Sequence, residues 1–344
     1  MSRQFDTGGA PHFPPHNTVS GVMRQVLYAM IPGIAASAWY FGPGVLVQIL
    51  LATVFALVLE ALFLKARGKP VSMFLSDYSA VVTAVLFAVC IPPLAPWWIS
   101  LIGMIFAIGI AKHLYGGLGN NLFNPAMVGY VVVLISFPQA LTAWIAPAEL
   151  MVRDIGLFEV LASIFTGQAP GGVSWDALSS ATVLDVVRNG TASGQTMETL
   201  RQSPAFGYLA GQGWEWTAGF YALGGLWLVW KRIITWHVPL AVLGSAFVFS
   251  AIAWIMNPGY NPSPALDLLS GALIIGAFFI ATDPVSGCTS TRGRILFGAG
   301  VGILTLVIRR WGGYPDGVAF AVLLMNMAAP LIDRFTQPRI FGHD

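Results

Sequence analysis

The chain has 344 residues, 56% hydrophobic and only 9% charged, with a mean hydropathy of +0.73. Soluble domains carry about 25% charged residues, so this sequence cannot coat a water-exposed globule and reads as an all-α polytopic membrane protein. The net charge of +2 comes from scattered basic residues without a basic stripe, which argues against a nucleic-acid partner. Cys90 and Cys288 stand far apart, with no CxxC or Cys/His grouping, so neither a protein-ligated iron–sulfur cluster nor structural zinc is expected.

Residues 1–21 are polar and rich in Pro and His. They lack the apolar core and cleavage site of a signal peptide and read as a retained cytoplasmic segment. A spanning helix needs about 20 mainly apolar residues. Ten windows qualify, at 22–41, 43–64, 77–95, 97–113, 125–142, 217–232, 238–256, 266–282, 294–309 and 316–333. The chain therefore divides into a five-helix unit at 22–142, a long polar loop at 143–216, a second five-helix unit at 217–333 and a tail at 334–344.

Basic residues concentrate in cytoplasmic loops of membrane proteins. Placing both termini inside puts twelve of the seventeen Lys and Arg residues there and leaves only Arg309 and Arg310 in short outer loops. The long loop is then external. Trp39, Trp97, Trp98, Trp144, Trp254 and Trp311 fall near the outer ends of the expected spans, as interfacial anchors do.

The two halves resemble each other. Asp77-Tyr78-Ser79 opens the third span and Asp267-Leu268-Leu269-Ser270 the eighth; Tyr115-Gly116-Gly117 precedes the fifth and Trp311-Gly312-Gly313 the tenth. Five spans per unit mean that the second unit is inserted upside down. Such inverted repeats place a binding or conduction site where the halves meet.

Polar residues beside apolar spans are the functional candidates. Glu60, inside an apolar run, is expected to reach the cytoplasmic interface and pair with Lys65. Asp77, Asp267 and Asp283 sit at span ends, where helix capping competes with a functional role. Asn120, Asn121 and Asn124 lie in a Gly-rich turn that supplies amide groups, and Thr282-Asp283 is its counterpart on the same side. Asp77, Asp267, Asp283, Asn120, Asn121, Asn124 and Thr282 together form a candidate ligand or ion site within the membrane.

The external loop holds seven acids against three arginines, a net charge of −4. Leu157, Phe158, Leu161, Ile164 and Phe165 share one helical face, which fits a short helix lying on the membrane surface. After a Gly-Pro break comes Asp176-Ala177-Leu178-Ser179-Ser180-Ala181-Thr182. Ser179 or Ser180 could cap a helix over Val183–Val187. No His or Lys stands beside them to make a nucleophile, so a hydrolase has no support.

That run resembles the Asp-x-x-(Ser/Thr)-Gly-Ala-Thr signal at which bacterial proteins receive FMN through a phosphoester to the final threonine. The GGLGNNLFNPAMVGY run at 116–130, the TDPVSG run at 282–287 and the ten-span plan are similar to the RnfD/NqrB family, with Ser180 standing where the family usually has Gly. The resemblance implies ten transmembrane helices as two inverted five-helix repeats, similar to urea and ammonium channels, with FMN covalently bound to Thr182. Asp176, Ser179, Ser180 and Ala181 would shape the attachment site. It further implies a non-covalent flavin such as riboflavin in the membrane portion, a flavin transferase, and the A, B, C, E and G proteins of the Rnf complex as partners. Such a complex passes electrons between ferredoxin and NAD(H), coupled to sodium or proton movement across the bacterial inner membrane. No NAD fingerprint is present, so nicotinamide is expected on another subunit. The alternative is a channel or secondary transporter for a small polar solute, built on the same repeat without a flavin.

Overall fold

The computed structural model describes residues 18–151, 153–314 and 316–337. Residues 1–17 and 338–344 of the two expected terminal segments lie outside the described residues. Within these, regular structure is helical, apart from two isolated β-bridges.

The membrane portion is built from α1 (Val19–Phe41), α2 (Gly44–Ala66), α3 (Ser79–Ala88), α4 (Trp97–Leu114), α5 (Pro125–Ser136), α6 (Trp214–Trp230), α7 (His237–Met256), α8 (273–280), α9 (Thr291–Trp311) and α10 (Val318–Thr336). Of these, α1, α2, α4, α7, α9 and α10 are long and apolar enough to cross a membrane. Their sequences explain why: α2 reads GVLVQILLATVFALVLEALFLKA, apolar on every face, as a helix between lipid and protein requires.

Three expected spans are broken instead of continuous. The window 77–95 forms only α3, followed by non-helical residues up to Trp97. Pro92, Pro93 and Pro96 supply no N–H groups to carry a helix on. The window 266–282 divides into a short helix, Pro264–Leu269, and α8, separated at Gly271, whose φ of +63° no helix accommodates. The window 125–142 stops at Ser136, because Phe137 precedes Pro138 and takes an extended φ of −136°. Irregular backbone at membrane depth is tolerated only where protein buries it. Here Ile91, Leu94, Ala95, Ser270 and Leu273 around the first two breaks are buried, whereas the third, at Ser136–Pro138, is largely exposed.

The halves share a packing order: α2 lies against α4 and α4 against α5, while α7 lies against α9 and α9 against α10. They meet along α1 and α6. The contact is close because small residues face large groups: Gly33 receives the ring of Tyr221, and Gly224 sits against the backbone of Ala29.

In the loop, the helix Leu157–Thr166 forms, but its apolar residues do not share one outward face. Ile164, with Val160, turns inward against Phe41, Val45 and Val47, while Leu157, Phe158 and Phe165 remain exposed. Glu159 bonds Arg153 and accepts from Gly156 N–H. The Arg153 guanidinium, then the Gly156 amide, hold its carboxyl below the usual range.

Candidate functional site

The Ser-Ser-Ala-Thr run is extended because it pairs with the chain entering the loop. Ser180 N–H donates to the Trp144 carbonyl at 2.9 Å, and Ala146 N–H donates to the Leu178 carbonyl at 3.2 Å. Ser179 and Ser180 therefore do not cap the following helix, Val183–Ala192. Thr182 does. Asp185 N–H donates to Thr182 Oγ1 at 3.3 Å, and the Thr182 hydroxyl donates to Asp185 Oδ2 at 2.6 Å. This reciprocal capping box fixes the threonine at the helix N-terminus. Ala181 is exposed and Thr182 half-buried; Asp176 is exposed in the short helix Trp175–Leu178.

Thr182 and Asp185 stand on the wall of a cavity between the two halves. Counted out to and including its open mouth, the space is about 930 Å³. Trp144, Trp214, Tyr130 and Tyr314 supply aromatic wall, Val89 and Cys90 come from the first chain break, Gly271 and Ala272 from the second, and Asp316 from the turn between α9 and α10. Trp144, expected as a lipid-facing anchor, instead packs edge-on against Trp214 at 4.8 Å, beside Phe41.

The two Asn- and Asp-containing turns are brought together elsewhere. Asn124 caps α5, accepting from Met127 N–H at 3.2 Å, and its amide donates to the Ile280 carbonyl at 3.2 Å. Asn326 of α10 joins the turns: its Oδ1 accepts from Asn124 N–H, and its amide donates to the Ser286 carbonyl at 3.0 Å. Asp283 accepts from the Ser286 hydroxyl at 2.5 Å, Thr282 donates to the Phe278 carbonyl, and Asn121 to the Phe123 carbonyl. Asn120 is exposed. Asn326 holds the junction, yet in the sequence it is one polar residue in an apolar helix, with no local signal to single it out.

Asp77 and Asp267 join neither group. Asp77, half-buried, ends a polar chain that runs inward: it accepts from Ser79 Oγ at 2.5 Å, and Ser79 Oγ accepts from Lys112 Nζ at 2.8 Å. Lys112 also donates to Glu60 Oε1 at 2.8 Å, while Glu60 Oε2 lies 3.0 Å from His113 Nε2 without hydrogen-bond alignment. Glu60 is 1% exposed and Lys112 2%. The expected Glu60–Lys65 pair does not form: Lys65 is exposed on a different side of α2. Asp267, 3% exposed, accepts from Ser250 at 2.5 Å and pairs with Arg310 at 2.8 Å. Arg309, 5% exposed, pairs with Asp316 at 3.1 Å. Lys112, Arg309 and Arg310, expected as loop charges, are thus drawn into helix packing.

The fold and these sites define a class: a polytopic helical membrane protein with buried ion pairs and a threonine-bearing loop closing over an aromatic cavity. The chain matches the NQR2, RnfD, RnfE family over residues 7–342, and it belongs to that family. It is 48% identical to the D component of the ion-translocating oxidoreductase complex of Shigella dysenteriae serotype 1 (strain Sd197), over 98% of this chain and 99% of the relative. The D components of the same complex in Escherichia coli strains SE11 and 55989 are similar to the same extent.

Proposed function

We propose that the chain is the flavin-carrying membrane subunit of a redox-driven, ion-translocating oxidoreductase complex, with FMN joined to Thr182 by a phosphoester. The observation that carries this reading is the Thr182 hydroxyl on the wall of an aromatic-walled cavity between the halves. The residues suit the group. The N–H groups at the start of helix Val183–Ala192 favour a phosphate beside them, and Trp144, Trp214, Tyr130 and Tyr314 offer flat apolar surface to a ring system. Bound FMN supplies electron transfer, and the protein supplies placement and exclusion of water. Esterification would remove the proton that Thr182 Oγ1 donates to Asp185, leaving the Thr182 N–H bond to Asp185 Oδ2 to hold the cap.

The shared packing order of the halves supports a ten-helix membrane portion of two repeats; five helices in each make them inverted, and the Lys and Arg distribution supports cytoplasmic termini and an external Thr182 loop. The relatives' names support membership of a multi-subunit complex. The family resemblance extends this to ferredoxin and NAD(H) as electron partners, sodium or proton coupling, the A, B, C, E and G proteins of the complex, a flavin transferase and a second, non-covalent flavin.

A denaturing gel viewed under ultraviolet light tests the central point. Protein from cells possessing the transferase is expected to give a fluorescent band, and Thr182→Val to give none. A mutant band as bright as wild type would move the flavin elsewhere. A dark wild-type band would favour a solute channel or transporter.

A further inference from the structure

The helix that carries Thr182 does not hang free over the cavity. Its apolar side, Val183, Leu184 and Val187, packs with Leu266 of the short helix leading into the second chain break. At that break a Cβ added to Gly271 would stand 2.8 Å from Leu184 Cδ1, 2.4 Å from Asp316 Oδ2 and 2.9 Å from Arg309 Nη2. Loop helix, broken helix and ion pair therefore converge on a position where only glycine fits, in both space and backbone angle.

The break itself is pinned. Arg309 donates to the carbonyls of Asp267 at 2.5 Å and Ser270 at 2.9 Å, which the broken helix leaves without helical partners. Asp316 accepts from Ala272 N–H at 2.7 Å and from Arg309 Nε at 3.1 Å. At the other edge, Arg188 of the loop helix donates to the Gly313 carbonyl at 2.7 Å, in the turn between α9 and α10.

We infer that the second chain break is the seat of the Thr182 helix, with Arg309 and Asp316 as positioning residues and Arg188 as its latch. These residues set where the group on Thr182 stands in the cavity, acting through Gly271 and Gly313. The consequence for the flavin rests on the proposed function; the seat does not.

The test uses the full chain in its membrane, with Cys90→Ala, Cys288→Ala and Leu184→Cys providing one thiol at the seat. Arg188→Gln and, separately, Asp316→Asn are expected to raise its rate of maleimide labelling at least fivefold. Rates within twofold of the parent would overturn the seat. Should Asp316→Asn fail to fold, Arg188→Gln decides, because Arg188 is half-buried and bonds only at a turn.

In the otherwise unaltered chain, Arg188→Gln is expected to keep the full flavin content while iodide quenching of that flavin rises at least threefold. Unchanged quenching beside faster labelling would overturn the positioning role. A parent chain without covalent flavin but with latch-dependent labelling would retain the seat and overturn the flavin reading instead.

Discussion

At the scale of single residues, the charges at membrane depth are the costliest feature of the chain. Glu60 accepts from Lys112 among side chains that water does not reach, and an uncompensated charge there is strongly unfavourable. Glu60→Gln leaves the Lys112 ammonium buried without a counter-charge and is expected to lose about 3–5 kcal/mol of stability. Adding Lys112→Met should recover most of that loss. Chemical denaturation of the purified protein in detergent measures both; equal destabilisation by the single and double variants would exclude a mutually compensated pair. This cluster was illegible in the sequence because its members are distant. Lys65 is five residues from Glu60 and looked like the partner, whereas Lys112 becomes a neighbour only once α2 packs on α4. Thr182 was legible for the opposite reason, since its motif is local. Even so, the cap moved from Ser179 or Ser180 to Thr182, because the serines' backbone is held extended: Ser180 N–H bonds the Trp144 carbonyl and Ser179 bridges Ile145.

At the scale of helices, hydropathy located the six helices long and apolar enough to cross a membrane and overestimated the length of several others. Residues 89–95 are apolar but not helical, and composition alone cannot separate the two. The prolines and Gly271 marked the breaks; their extent followed from tertiary packing that buries irregular backbone. The contact between α1 and α6 shows the same limit, since nothing local distinguishes Gly224 from other glycines. A Cβ at Gly224 would stand 1.8 Å from the Ala29 carbonyl oxygen. Backbone cannot yield as a side-chain tip does, so Gly224→Ala should force the helices apart at a cost of about 1–3 kcal/mol. A lowered thermal midpoint in detergent is the expected result. Gly219→Ala on the same helix, with open space around its Cβ position, serves as the control and should not lower the midpoint.

At the scale of the whole molecule, orientation decides which side of the membrane the Thr182 loop serves. The orientation proposed from the Lys and Arg distribution has it outside, and the helix Val183–Ala192 ends in exposed Ser193, a convenient reporter. With the two native cysteines replaced, Ser193→Cys should react with an impermeant thiol reagent added to intact cells. Reaction only after permeabilisation would invert the assignment. The proposed repeat rests on paired punctuation in the sequence, Gly-Gly against Gly-Gly and Asp against Asp, beside the packing order the halves share. The cavity was not, because its wall is assembled from both chain breaks and from the loop that separates the halves.

One helix has a consequence for charge placement. From Ile105 to Leu114, α4 is wound as a π-helix, with more residues to each turn than an α-helix holds. Adjacent side chains on an α-helix diverge by about 100°, yet Lys112 and His113 both reach the carboxylate of Glu60. The looser winding is slack: one residue accommodated without lengthening the rod. Drawing that residue out would rewind the turn and rotate whatever follows by about 100°, carrying Lys112 and His113 off their shared carboxylate. Which charges are neutralised at this depth thus depends on the winding of α4, as well as on side-chain identity.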